Sequence, residues 1–332
     1  MLDSQLELGD LHIHVGGAVA PHILWAIAHD QGLKLPVQTY WEFLELVTAA
    51  PRKVASQDDY LDILHRWTEK IQSSPAAIER SVYEIIGKEF RSSRVSLLEL
   101  RFNPMKRNLG GERDLDHIIH AALRGLDRGV LEYGSRVGLI FCLAREFPIE
   151  LNEILVRKAV KYRSRGVVGI DLAGSESNAL ELGPQIDAYT ELFDRARAGG
   201  LGVTVHTGET PLTGVPGLLA VLEKWRPQRI GHGIAAANSE EAMRKLAERG
   251  TVLEICPSSN LRTRVLANMD ELRRTLAAFG KHGVPFTVNT DGPYLLRTHL
   301  RQEFDLLLGE NVLTEAQALR CIETARAATF IP

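Results

Sequence analysis

Residues 202–233, GVTVHTGETPLTGVPGLLAVLEKWRPQRIGHG, hold a complete strand, helix and strand unit. The β-branched run 202–206 reads as a buried strand, the apolar residues at three-to-four spacing across 214–225 read as a helix, and 229–231 reads as a second short strand. Two strands joined by a crossover helix lie parallel in one sheet. A polar cluster follows each strand, His206-Thr-Gly-Glu209 after the first and Gly231-His232-Gly233 after the second. The unit therefore predicts a parallel sheet with its chemistry at the carboxyl ends of the strands.

The same alternation extends in both directions. Further strands are expected at 8–15, 95–102, 136–143, 167–172, 251–256 and 284–289, which makes eight in all. Helical spacing recurs at 148–165, 185–199, 239–250 and 270–283; Ser239 opens the third of these and Gly250 closes it, a cap-to-cap signature. Eight such units with near-continuously apolar strands favour a closed (β/α)8 TIM-type barrel over an open doubly wound sheet. The first half is less regular. Some eighty residues separate the first two strands, and 21–32, 39–50, 60–73 and 75–91 read as helices. We read them as a helical insertion after strand 1, at about residues 20–94, packed beside or over the barrel mouth. No Gly/Ser/Pro-rich linker marks a boundary, so a single domain over 1–332 is expected.

Composition narrows the class. A hydrophobic fraction of 45%, a charged fraction of 24% and a net charge of -3 suit a globular enzyme and leave no electrostatic footprint for nucleic acid or a membrane surface. Cys142, Cys256 and Cys321 are widely separated, with neither a disulfide framework nor a thiolate zinc pattern. Residues 1–9 carry two acids and no basic stretch, and no apolar run reaches membrane-spanning length, so a cytoplasmic protein is expected.

In the first strand, Asp10-Leu-His-Ile-His-Val-Gly-Gly17, a period of two turns His12 and His14 the same way, which suits two ligands of one metal ion. His206, His232 and the Thr290-Asp291-Gly-Pro293 turn also fall at strand ends. Each motif alone has an ordinary structural explanation as a cap or a turn. A barrel changes that, because it gathers all eight strand ends at one rim. His12, His14, His206 and Asp291 form a nitrogen and oxygen set that suits zinc first; ligand type alone also admits iron, cobalt or manganese. Such an ion acidifies a bound water from about 15.7 to near neutral. Glu209, past Gly208, is placed to carry a proton to a substrate heteroatom, the alternative being a solvated loop acid; His232 is placed to orient or deprotonate the water, the alternative being a fourth histidine ligand of a second metal.

Seven ordered motifs then carry a family resemblance over nearly the whole chain. They are Leu11-His-Ile-His-Val-Gly-Gly-Ala18, Leu98-Glu-Leu-Arg-Phe-Asn-Pro104, Val168-Gly-Ile-Asp-Leu-Ala-Gly-Ser-Glu176, Thr204-Val-His-Thr-Gly-Glu209, Arg229-Ile-Gly-His-Gly233, Leu253-Glu-Ile-Cys-Pro-Ser-Ser-Asn260 and Asn289-Thr-Asp-Gly-Pro293. The chain resembles the adenosine deaminase family of the metal-dependent amidohydrolase superfamily. That resemblance implies one zinc per chain on His12, His14, His206 and Asp291, with Glu209 protonating a purine ring nitrogen and His232 and Asp291 handling the attacking water. It also implies that His14 and the Gly174 backbone meet the substrate, and that Asp171 and Glu176 support the rim.

Two positions depart from the family. Gly16 and Gly292 stand where carboxylates resembling a ribose-hydroxyl partner and a purine N7 partner are usual. Each lost contact is worth roughly 1 to 3 kcal/mol in binding. The expected activity is hydrolytic deamination of a 6-aminopurine compound whose sugar end or purine face differs from adenosine, such as the 5′-extended nucleoside aminodeoxyfutalosine. Replacement contacts from Lys106, Arg107 or the helical insertion are the alternative account of the two glycines. The same rim also suits metal-dependent hydrolysis of another amide, ester or lactone, and a non-catalytic purine-binding relative is the third reading.

Overall fold

The computed structural model describes residues 2–108 and 114–332. Its eight strands are β1 (Leu8–His14), β2 (Val95–Phe102), β3 (Arg136–Ala144), β4 (Val167–Ala173), β5 (Gly202–Thr207), β6 (Arg229–His232), β7 (Val252–Ile255) and β8 (Phe286–Val288). Each pairs in parallel with the next, in the order β1-β2-β3-β4-β5-β6-β7-β8. The ring closes just beyond β8. There the Asp291 N–H donates to the His12 carbonyl at 2.8 Å and the His14 N–H donates to the Asp291 carbonyl at 2.7 Å. The (β/α)8 barrel is the fold, and its closing bonds hold Asp291 against the two histidines of β1.

Helices alternate with the strands and cover the barrel. Their ends follow local chemistry: the Ser74 side chain accepts from the Ala77 N–H to cap Pro75–Ser93, and Ser239 accepts from the Ala242 N–H to cap Glu240–Arg249, which Gly250 ends in the left-handed conformation. Leu11 and Ile13, which alternate with the histidines of β1, are completely buried. No helix among the described residues is long and apolar enough to cross a membrane.

The elements depart from the sequence expectation in two ways. β1 stops at His14 because Val15–Ala18 turns helical, and β8 is short because residues beyond Val288 bend to close the ring. The helix expected over 60–73 is a composite: helix Gln57–Ile63, a π turn Leu64–Thr68, then helix Glu69–Ile71. Residues 57, 60, 61, 64, 65 and 69 of this composite all line the cleft at the barrel mouth. In an unbroken helix residue 68 would continue that stripe; the wider π turn brings Glu69 to it instead.

Candidate active site

β1 and β5 bring three imidazoles together. The His12 ring lies 5.3 Å from the His14 ring and 4.6 Å from the His206 ring, centroid to centroid. One ligand nitrogen from each of His12, His14 and His206 falls within 4.8 Å of the others. Two of the rings are held from behind. His12 Nδ1 donates to Glu254 Oε2 at 2.7 Å and His206 Nδ1 donates to Asp171 Oδ1 at 3.1 Å. A ring whose Nδ1 donates presents a lone pair at Nε2. His12 Nε2 is buried with no hydrogen-bond partner, and the Nε2 atoms of His14 and His206 stand 3.2 Å apart. Burial holds His14 down to about 3 and His12 well below the ordinary histidine value, so both are neutral donors at physiological pH. These residues fit a metal ion. The neighbouring trio His12, His232 and Cys256 fits less well, because burial pushes the Cys256 thiol far up and keeps it protonated.

Beneath the histidines the barrel is filled with charge. Arg101 donates to Asp171 Oδ2 at 3.0 Å and to Glu254 Oε2 at 2.9 Å, so one guanidinium joins the two carboxylates that hold His206 and His12. Arg229 Nε reaches Glu254 Oε1 at 2.7 Å and its Nη2 reaches Glu99 Oε2 at 2.5 Å. All five charged residues are completely buried. Burial opposes ionisation of Glu254 and Asp171, but the guanidiniums and His206 outweigh it and hold both below the usual carboxylate range. Three carboxylates against two guanidiniums leave an excess of negative charge under the imidazoles, which favours a cation above them.

Asp291 and His232 complete the rim. Both adopt φ of +62°, an uncommon conformation for residues with side chains. Asp291 Oδ2 accepts from Ser259 Oγ at 2.6 Å, and Oδ1 accepts from Tyr60 Oη at 3.3 Å while standing 3.7 Å from His14 Nε2. His232 Nδ1 faces the Asn260 side-chain amide at 3.0 Å, and its Nε2 lies 3.7 Å from Glu209 Oε2. Glu209 receives a short hydrogen bond from Gln57 Nε2. Its own backbone N–H donates to Glu176 Oε1 at 3.1 Å, and that of Thr210 to Glu176 Oε2 at 2.6 Å, which fixes the turn. Burial, with the charges of Glu176 and Asp291 added, pushes the Glu209 carboxyl up to about 8. It is a protonated acid at neutral pH.

These groups share one cleft at the barrel mouth. His14, Gly174, His206, Glu209, His232 and Asp291 line it, as does Gly16. Gly174 has φ of +116°, a conformation that favours glycine, and a Cβ there would stand 2.9 Å from Glu146 Oε2. His12 lies beneath the cleft wall, completely buried. Gly292 is absent from the lining, because the Tyr60 hydroxyl occupies its side-chain space: a Cβ at 292 would be 2.2 Å from Tyr60 Oη. The space beside Gly16 is likewise filled, by Leu64, Glu69 and Arg107.

Sequence reading missed two groups of site residues. Arg101 and Glu254 carried a usable signal, being charges inside otherwise apolar strands. Gln57, Tyr60 and Glu69 carried none, since they sit on the inner stripe of an amphipathic helical segment, where a polar residue reads as surface.

Comparison with known proteins bears on the family and the fold. Residues 8–332 match the profile of the adenosine deaminase family. An adenosine deaminase of Clostridium kluyveri is 31% identical over 300 residues, covering 90% of this chain and 82% of the relative. Among solved structures, adenine deaminase from Arthrobacter aurescens superposes with a TM-score of 0.85 at 19% identity, covering 98% of this chain and 94% of the other. Arabidopsis N6-mAMP deaminase gives 0.81 at 24% identity, covering 99% and 95%. The two structures share the fold.

Proposed function

Because the chain belongs to the adenosine deaminase family, we propose that this adenosine deaminase-like aminohydrolase removes the amino group of a 6-aminopurine nucleoside or related compound by zinc-dependent hydrolysis. The observation that carries the reading is the placement of a buried carboxyl, Glu209, in the same cleft as the converging nitrogens of His14 and His206, the His232 ring and the carboxylate of Asp291. Zinc held by His12, His14, His206 and Asp291 would supply an ionised water as the nucleophile.

The chain's own residues do the rest. Glu209 gives its proton to the ring nitrogen beside the amino-bearing carbon, so the electrons of the attacked C=N bond have somewhere to go. His232, whose Nε2 faces the same space, and Asp291 take one proton from the attacking water and return it to the amino group, which leaves as ammonia, while the proton of the added hydroxyl passes to Glu209 as the carbonyl forms. Gln57 and the backbone bonds to Glu176 keep Glu209 aimed into the cleft. An ester or lactone offers no ring nitrogen for this acid, and all of the proton-transfer groups are present, which favours the deaminase over the other hydrolases and over a binding protein without activity.

Ammonia release and the ultraviolet shift on loss of the amino group test the reading, with zinc-loaded protein and a panel of adenine, adenosine, 5′-modified adenosines and AMP. Turnover of at least one aminopurine is expected. Hydrolysis of esters or lactones with no aminopurine turned over would overturn it.

A further inference from the structure

Gln57 is the first residue of the insertion helix Gln57–Ile63, directly after the cap Ser56, yet it is buried and lines the cleft. The two ends of its amide have different partners. Oε1 accepts from the Glu176 backbone N–H at 3.3 Å, and Nε2 donates to Glu209 Oε2 in a short hydrogen bond. A reversed amide would set its own N–H groups against the Glu176 N–H, so these partners fix the orientation. A third bond closes a ring, because the Glu209 backbone N–H donates to Glu176 Oε1 at 3.1 Å. Glu176 is completely buried, and its Oε2 is held by the Thr210 N–H at 2.6 Å and by Thr210 Oγ1 at 2.7 Å. The insertion, the loop after β4 and the loop after β5 thus hold one carboxyl in one pose. The ring also makes the two oxygens of Glu209 unequal. Oε2 receives an N–H, whereas Oε1 receives no hydrogen bond from any described residue and is the oxygen left open to the cleft.

We propose that Gln57 is a positioning residue for the acid: it engages Oε2 as an acceptor, leaves the proton on Oε1, and holds the carboxylate that remains once that proton has gone to the substrate. The role rests on the deaminase reading above. A carboxylic acid that accepts at one oxygen carries its hydrogen on the other. When Oε1 has protonated the ring nitrogen, the Gln57 N–H faces a full negative charge, and a hydrogen bond to a charged group is roughly twice as strong as one between neutral groups. The bond therefore strengthens as the proton leaves, which lowers the barrier without tightening substrate binding. Other groups do not replace it. Glu176 and Asp291 resist the developing charge; His206 favours it without a hydrogen bond, and His232 Nε2 stands 3.7 Å from Oε2.

Gln57→Met keeps the length of the side chain and removes both bonds. Its kcat should fall about 10- to 100-fold with KM little changed. Its alkaline decline should move to higher pH than the parent's, since losing a donor to the ionised form makes Glu209 harder to deprotonate. Infrared spectroscopy reads the same bond without turnover. The C=O stretch of the protonated carboxyl, identified by its loss in Glu209→Gln, should shift to higher frequency in Gln57→Met, because Oε2 no longer accepts. Asp58→Ala removes the neighbouring bond between the same helix and the same loop, Ser175 Oγ to Asp58 Oδ1 at 2.7 Å, and should leave the stretch and the alkaline decline in place. A folded Gln57→Met with the parent's kcat or an unmoved stretch, or equal shifts in Asp58→Ala, would overturn the proposal and leave Gln57 a docking residue of the helix. Should Gln57→Met fail to fold, Gln57→Asn carries the same expectations, since it stays polar but is one methylene too short to span both partners. Absence of ammonia release from every aminopurine with the parent protein would defeat the deaminase reading instead, and the stretch would still show whether Gln57 engages Oε2.

Discussion

Glu209 is where environment decides chemistry. Its carboxyl is pushed up to about 8 by burial and by the charges of Glu176 and Asp291, so the acid form that the proposed reaction needs persists through neutral pH. The sign follows from the role. A group that must be protonated loses function as pH rises through its pKa, so kcat/KM should be level near neutrality and decline above about 8. Glu209→Gln keeps the shape and the neighbours but has no proton to give. Its kcat should drop by about 10²- to 10⁴-fold, its alkaline decline should vanish, and its bound zinc, measured by elemental analysis, should equal that of the parent. An unchanged alkaline limb would assign that ionisation to another group.

At the scale of elements, the strands and the helical insertion contribute differently. Arg101 on β2 ties Asp171 on β4 to Glu254 on β7, and through them His206 and His12. Arg101→Met would leave two buried carboxylates short of a partner, at a cost of about 3–5 kcal/mol. It should also weaken zinc binding by about 10- to 100-fold, read by competition with a chelator. The insertion closes the rim more tightly. A Cβ at Gly292 would meet the Tyr60 hydroxyl at 2.2 Å but the ring carbon bearing it at 3.4 Å. Gly292→Ala should therefore lose about 1–3 kcal/mol in urea denaturation, and adding Tyr60→Phe should restore most of it; a pair no more stable than Gly292→Ala would show that the clash lies elsewhere. The same division explains what was readable in advance. His12, His14, His206, His232 and Asp291 stand at strand ends punctuated by glycine, where period two and turn chemistry expose them. Gln57, Tyr60 and Glu69 belong to a helical stripe whose spacing is the same whether it covers a core or a cleft. The π turn that selects Glu69 over Thr68 has no signature in composition.

Over the whole molecule, the two ends of the barrel are linked through its charged interior. The chain returns after its last helix, Glu315–Ala328, to the base of the barrel. Phe330 fills the space beside Gly202, where a Cβ would come within 2.2 Å of its ring, and Arg229 stacks on that ring with the guanidinium carbon 3.7 Å from the centroid. Arg229 in turn holds Glu254, which holds His12. Whether this chain transmits the state of the base to the rim can be judged from competing contacts. Glu254 also receives Arg101 and Thr204, so loss of the aromatic ring should leave His12 in place. Phe330→Ala should thus cost about 2 kcal/mol, less than a fully buried phenylalanine, and shift zinc affinity by less than about tenfold. Removing zinc by chelation should lower stability separately, by about 2.7 kcal/mol when the free ion stood at a hundred times its dissociation constant. Because the apolar core does not depend on the ion, the demetallated barrel should stay folded and recover activity when zinc returns. Measured together by urea denaturation, the two losses should add to within about 0.5 kcal/mol. A larger deviation would mean that Arg229 carries strain from the base of the barrel to the histidines at its mouth.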